Sequence, residues 1–413
     1  MKFSQYHINE TLKKNIERYG LHRPTDIQYK CIKPILDGQD VLAIAQTGTG
    51  KTASFAIPIL DLVVTNKDRS KGIYALILAP THELARQIYQ TFILLGKGMD
   101  ALAVCIYGGV DQKKQIRQLK AGASILIATP GRMFDLLSQG MINITCLKIL
   151  VLDEADHMLD LGFIDDIKDL IQKIPRRRQN LFFSATINKQ LKKLAYSIVK
   201  NPIRIQISPN NSVAKNIDHG VAYIEMEDKR YFLASFIKKN RTAKMLIFVR
   251  TKIRAERVKL AMDRLKIDTN TLHGDKSQED REKAMQAFNA GIKKILIATD
   301  ISARGIDVPD IDFVINYDLP ESSETYIHRV GRTGRAGNRG NAISFCSTEE
   351  KPLFEKIESD LMGGIVNIPI KKEDYSTTLN LAFESKNDWK ALIKAHESIF
   401  GKNKKLKKGK RKK

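Results

Sequence analysis

Ala45-Gln46-Thr47-Gly48-Thr49-Gly50-Lys51-Thr52 follows the apolar run Val41-Leu42-Ala43-Ile44 and opens into the helix-like segment Ala53 to Val64. The order is strand, glycine loop, helix. Gly48 and Gly50 let backbone N–H groups curl around a phosphate, Lys51 adds a point charge, and the Thr52 hydroxyl suits Mg2+. The stretch predicts binding of a nucleoside triphosphate. Ala45 stands where the general phosphate-loop pattern has glycine, so the loop taken alone also fits a glycine turn capping an ordinary helix.

Outward from this loop, short β-branched runs alternate with amphipathic stretches of helix length. Strands are predicted at Ala75 to Ala79, Leu102 to Tyr107, Ser124 to Ala128, Lys148 to Leu152 and Asn180 to Ser184. This is the rhythm of parallel βαβ units. Runs such as Ile149-Leu150-Val151-Leu152 are apolar throughout, as strands covered by helices on both faces must be. A second series has strands at Val221 to Ile224, Met245 to Val249, Ile295 to Ala298, Phe313 to Tyr317 and Ala342 to Cys346, with helices such as Ile253 to Leu265 between. It has no glycine loop of its own. Between the two series, residues 208–219 are polar, carry a proline and lack periodicity, as a linker does. The predicted organisation is α/β: a first doubly wound domain over 1–207, a linker over 208–219, a second domain over 220–370 and a C-terminal extension over 371–413.

The chain has 413 residues, enough for two domains and a tail, and a net charge of +23. That excess favours a polyanionic partner, nucleic acid or an anionic membrane surface. No apolar stretch approaches the roughly 18 residues of a spanning helix, and the N-terminus leads into no signal-peptide core, so export and membrane insertion are not expected. Residues 402–413 contain nine Lys or Arg, and without them the charge falls only to +14, so the folded body is basic too. The four cysteines, Cys31, Cys105, Cys146 and Cys346, form no C-x-x-C pair and indicate neither zinc nor disulfides. A reducing compartment follows.

Two stretches carry chemistry beside the loop. Asp153-Glu154-Ala155-Asp156 closes a buried strand at its C-terminal end, where doubly wound sheets bind ligands. There Asp153 can hold Mg2+ and Glu154 can orient water for attack on a γ-phosphate. Ser184-Ala185-Thr186 ends the next strand on the same edge, with hydroxyls that reach toward the acids. In the second half, His328-Arg329-Val330-Gly331-Arg332-Thr333-Gly334-Arg335 gathers three arginines among glycines rather than acids. Such a cluster suits an anion and, supplied from another domain, an arginine finger worth about 10³ to 10⁵ in rate.

With these motifs the chain resembles a DEAD-box ATP-dependent RNA helicase, of superfamily 2, and in appearance the bacterial RhlE kind. The resemblance runs from Phe3 to about Ile370. Arg23-Pro24-Thr25-Asp26-Ile27-Gln28, with Phe3 upstream, resembles the adenine-reading Q motif. The stretches Pro80 to Ala85, Gly108-Gly109 and Thr129-Pro130-Gly131-Arg132 resemble RNA-backbone motifs, as do Phe248 to Thr251, Gln278 to Arg281 and Ala298 to Asp307.

The resemblance implies two tandem RecA-like domains, ATP and Mg2+ as cofactors, and RNA as partner. It places Phe3, Arg23, Gln28, Ala45 to Thr52 (that is, Ala45, Gln46, Thr47, Gly48, Thr49, Gly50, Lys51 and Thr52), Gly305 and Asp307 at the nucleotide. Lys51, Asp153, Glu154, Arg332 and Arg335 become catalytic, and Thr52 with Asp153 holds Mg2+ largely through water. Pro80, Thr81, Gly109, Thr129, Arg132, Arg250, Thr251, Arg281, Thr299 and Asp300 face RNA, while Ser184, Thr186, Asp156 and His328 couple the domains.

The implied activity is RNA-stimulated ATP hydrolysis with local unwinding of short duplexes and little sequence preference. The alternatives are an ATP-gated RNA clamp within an assembly and, less so, a DNA-dependent ATPase. The implied setting is a cytoplasmic monomer working in ribosome assembly or RNA decay on single-stranded or short duplex RNA. His82 and His157 stand where the family commonly has arginine and read as neutral structural histidines. Trp389 reads as a packing residue of the tail, and the terminal lysines as a tether for RNA or as a merely solvated tail.

Overall fold

The computed structural model describes residues 2–46, 48–66, 72–207, 216–303, 308, 310–334, 339–361 and 364–369. Thr47, Gly305, Asp307, Arg335, residues 208–215 of the linker and the whole 371–413 extension, Trp389 included, lie outside the described residues.

The first lobe has strands β1 (Val41–Ile44), β2 (Ala75–Leu78), β3 (Ala103–Ile106), β4 (Ile125–Ala128), β5 (Ile149–Leu152), β6 (Gln179–Ser184) and β7 (Ile203–Gln206). All pair in parallel in the order β3-β4-β2-β5-β6-β1-β7. Helices α1 (Glu10–Arg18), α2 (Asp26–Leu36), α3 (Lys51–Thr65), α4 (His82–Leu95), α5 (Gln112–Lys120), α6 (Pro130–Ser138), α7 (Ala155–Asp160), α8 (Ile164–Lys173) and α9 (Lys189–Ile198) cover both faces. Val41, Ala43, Ile149 and Val151 enter one core, Leu42, Leu150 and Leu152 the other. A strand with core on both sides must be apolar at every position, which is why these runs read so clearly.

The second lobe repeats the plan. Its strands are β8 (Ile217–Tyr223), β9 (Met245–Phe248), β10 (Asn270–Leu272), β11 (Ile295–Ala298), β12 (Phe313–Asn316), β13 (Gly340–Cys346) and β14 (Ile365–Asn367). Their order is β10-β11-β9-β12-β13-β8-β14, again parallel. Around them lie α10 (Lys229–Lys239), α11 (Lys252–Arg264), α12 (Gln278–Asn289), α13 (Asp300–Ala303), α14 (Ser323–Val330) and α15 (Lys351–Asp360). Met245 and Ile247 face one core, Leu246 and Phe248 the other.

Three strands escape the sequence reading. β7 is an edge strand of alternating Ile203-Arg204-Ile205-Gln206, with only Ile205 buried, and β10 and β14 are three residues each. Short edge strands present one face and a polar sequence. One boundary also moves, since β8 begins at Ile217, inside the stretch 208–219 read as linker. Ile217 is buried beside Tyr326 and Val330, so packing against α14 draws these residues into the sheet.

Candidate nucleotide and nucleic-acid interface

Register sets the first half of the site. Ile44 lies opposite Ser184 and Leu152 opposite Phe182, so β6 stands between the glycine-loop strand and the acidic strand, and β5 ends two residues short of β1, which leaves Asp153 and Glu154 beside the end of the loop strand. The loop after β1 is pinned from two sides. Ala45 N–H donates to Ser184 O at 3.0 Å, which extends the β1–β6 ladder. Thr25 Oγ1 donates to Thr49 O at 2.8 Å, Gln28 Nε2 donates to Gly50 O at 3.2 Å, and Thr49 Oγ1 donates to Gln46 O at 2.8 Å.

Gly50 sits at φ +91°, and a Cβ there would lie 2.4 Å from Gln28 Nε2, so conformation and space both require glycine. Gly48 is likewise left-handed, at φ +81°. Lys51 then opens α3, 7% exposed, with an Nζ that has no hydrogen-bond partner. A buried ammonium at a helix N-terminus, beside a curled glycine loop, fits a phosphate. Thr52 lies next to it, half-buried.

The Q-motif glutamine also contacts the loop itself. Gln28 is 2% exposed, and its carbonyl oxygen accepts from Thr25 N–H at 3.0 Å while its amide holds Gly50 O. Its amide therefore braces the phosphate loop. Phe3 is buried against Tyr6, with ring centroids 6.2 Å apart, and Arg23 is exposed.

At the end of β5, Asp153 N–H bonds Leu78 O at 3.0 Å and the next residue turns sharply: Glu154 is left-handed, at φ +50°, ψ +51°. A non-glycine residue held there stores strain that aims a side chain. Asp153 is 2% exposed, and its Oδ1 accepts from Glu154 N–H at 3.0 Å. Burial, against the pull of Lys51, pushes its carboxyl up to about 7. A divalent cation would relieve that deficit, and Thr52 with one buried carboxylate fits Mg2+, which keeps several waters and phosphate oxygens rather than an all-protein cage. Among the described residues no cluster of three or more His, Cys, Asp or Glu offers such a cage. Burial also works to raise Glu154, but His157, Arg332 and Lys51 outweigh it and hold the carboxyl well below its usual range. His157 is 1% exposed, with Nδ1 3.5 Å from Glu154 Oε2.

Asp156 ties the acidic turn to the end of β6. Its Oδ2 accepts from Ala185 N–H at 3.2 Å, Thr186 N–H at 3.1 Å and Thr186 Oγ1 at 3.2 Å. Ser184 Oγ donates to Thr186 O at 2.6 Å. Across the cleft, His328 Nε2 stands 3.8 Å from the same oxygen. Arg332, 4% exposed, donates through Nε to His328 O at 3.2 Å. The second lobe thus reaches the acidic turn of the first.

Farther along the cleft, α4 meets α12. His82 Nδ1 pairs with Gln278 Oε1 at 3.1 Å, Glu83 with Arg281 at 2.5 Å and Arg86 with Glu282 at 2.8 Å. Burial lowers the pKa of His82, as a neutral histidine requires. Glu83 and Gln278 lay within stretches read as RNA-backbone motifs, and Arg86 and Glu282 were not singled out, because a contact between lobes leaves no trace in local periodicity.

Several arginines and acids assigned to RNA also have partners inside the protein. Arg281 is paired with Glu83, the two being 14% and 12% exposed. Arg132 donates to Gln115 Oε1 and Val110 O, each at 3.2 Å, and so supports the loop of Gly109, which is left-handed at φ +74°. Arg250 is half exposed and lies 3.6 Å from Glu350.

Asp300 accepts both Nε and Nη2 of Arg329, at 2.5 and 2.7 Å. This pair organises the protein around Arg329. Arg329 is 2% exposed, bonds Asn316 Oδ1 and Asp318 O as well, and lies over Phe248. Of the three clustered arginines, this one is a buried scaffold rather than an anion binder.

Thr81, Thr129 and Thr251 stand at the N-caps of α4, α6 and α11, in the turns that follow β2, β4 and β9; Pro80 is buried beside Thr81 and Thr299 follows β11. Helix N-termini at the C-terminal edges of the two sheets offer N–H groups to anions.

With this geometry described, known proteins can be compared. A family model for "DEAD/DEAH box helicase" matches residues 25–194, and one for "Helicase conserved C-terminal domain" matches 228–337. The chain is 39% identical to DEAD-box ATP-dependent RNA helicase RhpA of Helicobacter pylori, over 84% of this chain and 70% of that one. S. cerevisiae Dbp5 bound to RNA and ADP BeF3 superposes with a TM-score of 0.82 at 29% identity, over 93% of this chain and 99% of that chain. A DEAD box protein from Methanococcus jannaschii is 36% identical, over 89% of this chain and 99% of that chain, yet its TM-score is 0.52. The higher TM-score goes with the less similar sequence. Sheet order, motifs and sequence identity over most of the chain agree: it belongs to the DEAD-box ATP-dependent RNA helicase family.

Proposed function

We propose that the chain is an RNA-stimulated ATPase that closes its lobes around ATP and one RNA strand and separates short duplexes locally. The observation that carries this reading is the meeting of the lobes at the acids, where Arg332 helps to hold Glu154 ionised and His328 stands 3.8 Å from Asp156.

In this reading the loop amides and Lys51 hold the phosphates, and Glu154 orients the attacking water. Thr52 and Asp153 would hold Mg2+, largely through water, and Mg2+ would neutralise charge on the phosphate oxygens. Phe3, Arg23 and Gln28 border the base, with Gln28 acting through the loop it braces. Arg332, with Arg335, Gly305 and Asp307 beyond the described residues, completes the site from the second lobe only on closure. Asp156, Ser184, Thr186 and His328 report closure to the acids.

The helix N-termini at Thr81, Thr129 and Thr251, with Thr299 and Gly109, take RNA phosphates, and contact with 2′-hydroxyls selects RNA over DNA. Ribosome assembly or RNA decay in the cytoplasm is the setting this chemistry serves. Among the described residues no helix is long and apolar enough to cross a membrane. ATP hydrolysis measured with and without single-stranded RNA tests the coupling: equal rates would sink it, and stimulation without release of a short duplex strand would make the protein a clamp.

A further inference from the structure

At the opposite end of the first sheet, a pit of about 700 Å3 opens below β1 and β6. It lies where these strands begin, at Val41 and Gln179, whereas the glycine loop and the acids lie where their neighbours end. Strands of four to six residues, at about 3.3 Å per residue, put a whole sheet depth between the two. The pit therefore belongs neither to the nucleotide site nor to the threonine edge.

Its charge is unbalanced. Arg176, Arg178 and Lys200 line it, and Asp40 is the one carboxylate among the lining residues. Both oxygens of Asp40 are already engaged: Oδ1 accepts from Asn180 N–H at 2.7 Å, and Oδ2 accepts from Asn180 Nδ2 at 3.1 Å and Lys200 N–H at 2.8 Å. Arg176 and Lys200 are exposed. Arg178 gives one N–H to Pro175 O at 2.6 Å and leaves its buried Nε without a partner. Asn180, 6% exposed, turns its amide nitrogen to Asp40 and leaves Oδ1 without a donor. Buried polar atoms are normally paired, so each of these points to a missing group. The guanidinium asks for an acceptor and the amide oxygen for a donor.

We propose that this pit is a second ligand site, for a phosphorylated small molecule of nucleotide size. Arg176, Arg178 and Lys200 take its phosphates, and Asn180 Oδ1 accepts an O–H or N–H from its sugar or base. The volume falls within the roughly 300–1,000 Å3 of small-molecule sites. A strand lying on the threonine edge would have to round the whole lobe to enter the pit, which disfavours RNA as occupant.

Guanosine 5′-diphosphate, titrated calorimetrically into the full chain already saturated with a non-hydrolysable ATP analogue, tests the proposal. One further equivalent should bind, and Arg176→Glu with Lys200→Glu should weaken it at least tenfold while leaving RNA-stimulated ATP hydrolysis unchanged. Both residues are exposed, and the matched change Lys192→Glu with Lys193→Glu, on the exposed side of α9, should leave binding intact. Pyrophosphate, which lacks the sugar and base that reach Asn180, should bind at least tenfold more weakly. The proposal is overturned by no second equivalent at millimolar ligand, by equal binding in the Arg176/Lys200 variant, or by pyrophosphate matching the nucleotide. It is also overturned if the variant loses RNA affinity and salt dependence instead, which would make the pit an RNA contact.

Discussion

Replacing Glu83 with Gln separates two readings of Arg281 by the sign of the effect. If Arg281 takes an RNA phosphate, removing its carboxylate partner frees a positive charge and RNA should bind more tightly. If the Glu83–Arg281 pair latches the lobes, closure loses its anchor and RNA should bind more weakly. The two side chains approach to 2.5 Å at 12% and 14% exposure. At such depth, breaking one partner of a charge pair costs about 2–5 kcal/mol, much of it from the charge left behind.

Taking the lower end, because both groups retain some water, the closed state loses about 2–3 kcal/mol, a factor of about 30 to 150 in RNA affinity. The assay is fluorescence anisotropy of a labelled single strand at fixed salt, with a non-hydrolysable ATP analogue present. Glu83 lies in the first turn of α4, so losing its charge also costs the lobe about 0.3–1 kcal/mol of helix-dipole stabilisation, which a thermal melt without ligands measures separately. Unchanged or tighter RNA binding would refute the latch.

Three other outcomes follow from the geometry. In the closed form His82 faces Gln278, Glu83, Arg281 and Arg132, and burial lowers its pKa below 6.5. The open form then takes up a proton that the closed form resists, so closure weakens as pH falls through about 6.5 and levels off once pH drops below the lowered value. RNA affinity should decline over that window in the native chain and stay flat in His82→Gln, and parallel curves would refute the linkage.

Asp300→Asn strips the carboxylate from Arg329, which is 2% exposed, and should destabilise the second lobe by about 3–5 kcal/mol in urea unfolding; a loss under 1 kcal/mol would mean the guanidinium finds water. Gly50→Ala puts a Cβ 2.4 Å from Gln28 Nε2 at φ +91° and should cost at least tenfold in ATP affinity. Gln28→Ala in the same background should recover part of it by removing the clash.

The two parallel sheets, the glycine loop and the acidic turn were legible in the sequence, because each rests on local rules. A strand buried on both faces must be apolar at every position, and a phosphate loop must place glycine where φ turns positive. What Arg329, Arg281, Arg132 and Asp300 touch was not legible. An arginine reads the same whether it meets RNA or a carboxylate two hundred residues away, and only burial tells them apart. Edge strands such as β7 stayed hidden for a related reason: with one flank open to water, they need no apolar run. The sequence by itself determined that a triphosphate loop, its acids and a second lobe with arginines share one chain. Tertiary structure alone decided that the halves meet at Glu154 and Asp156, and that Glu83 and Arg281 join the lobes, because those contacts depend on how two independently folded sheets are set face to face.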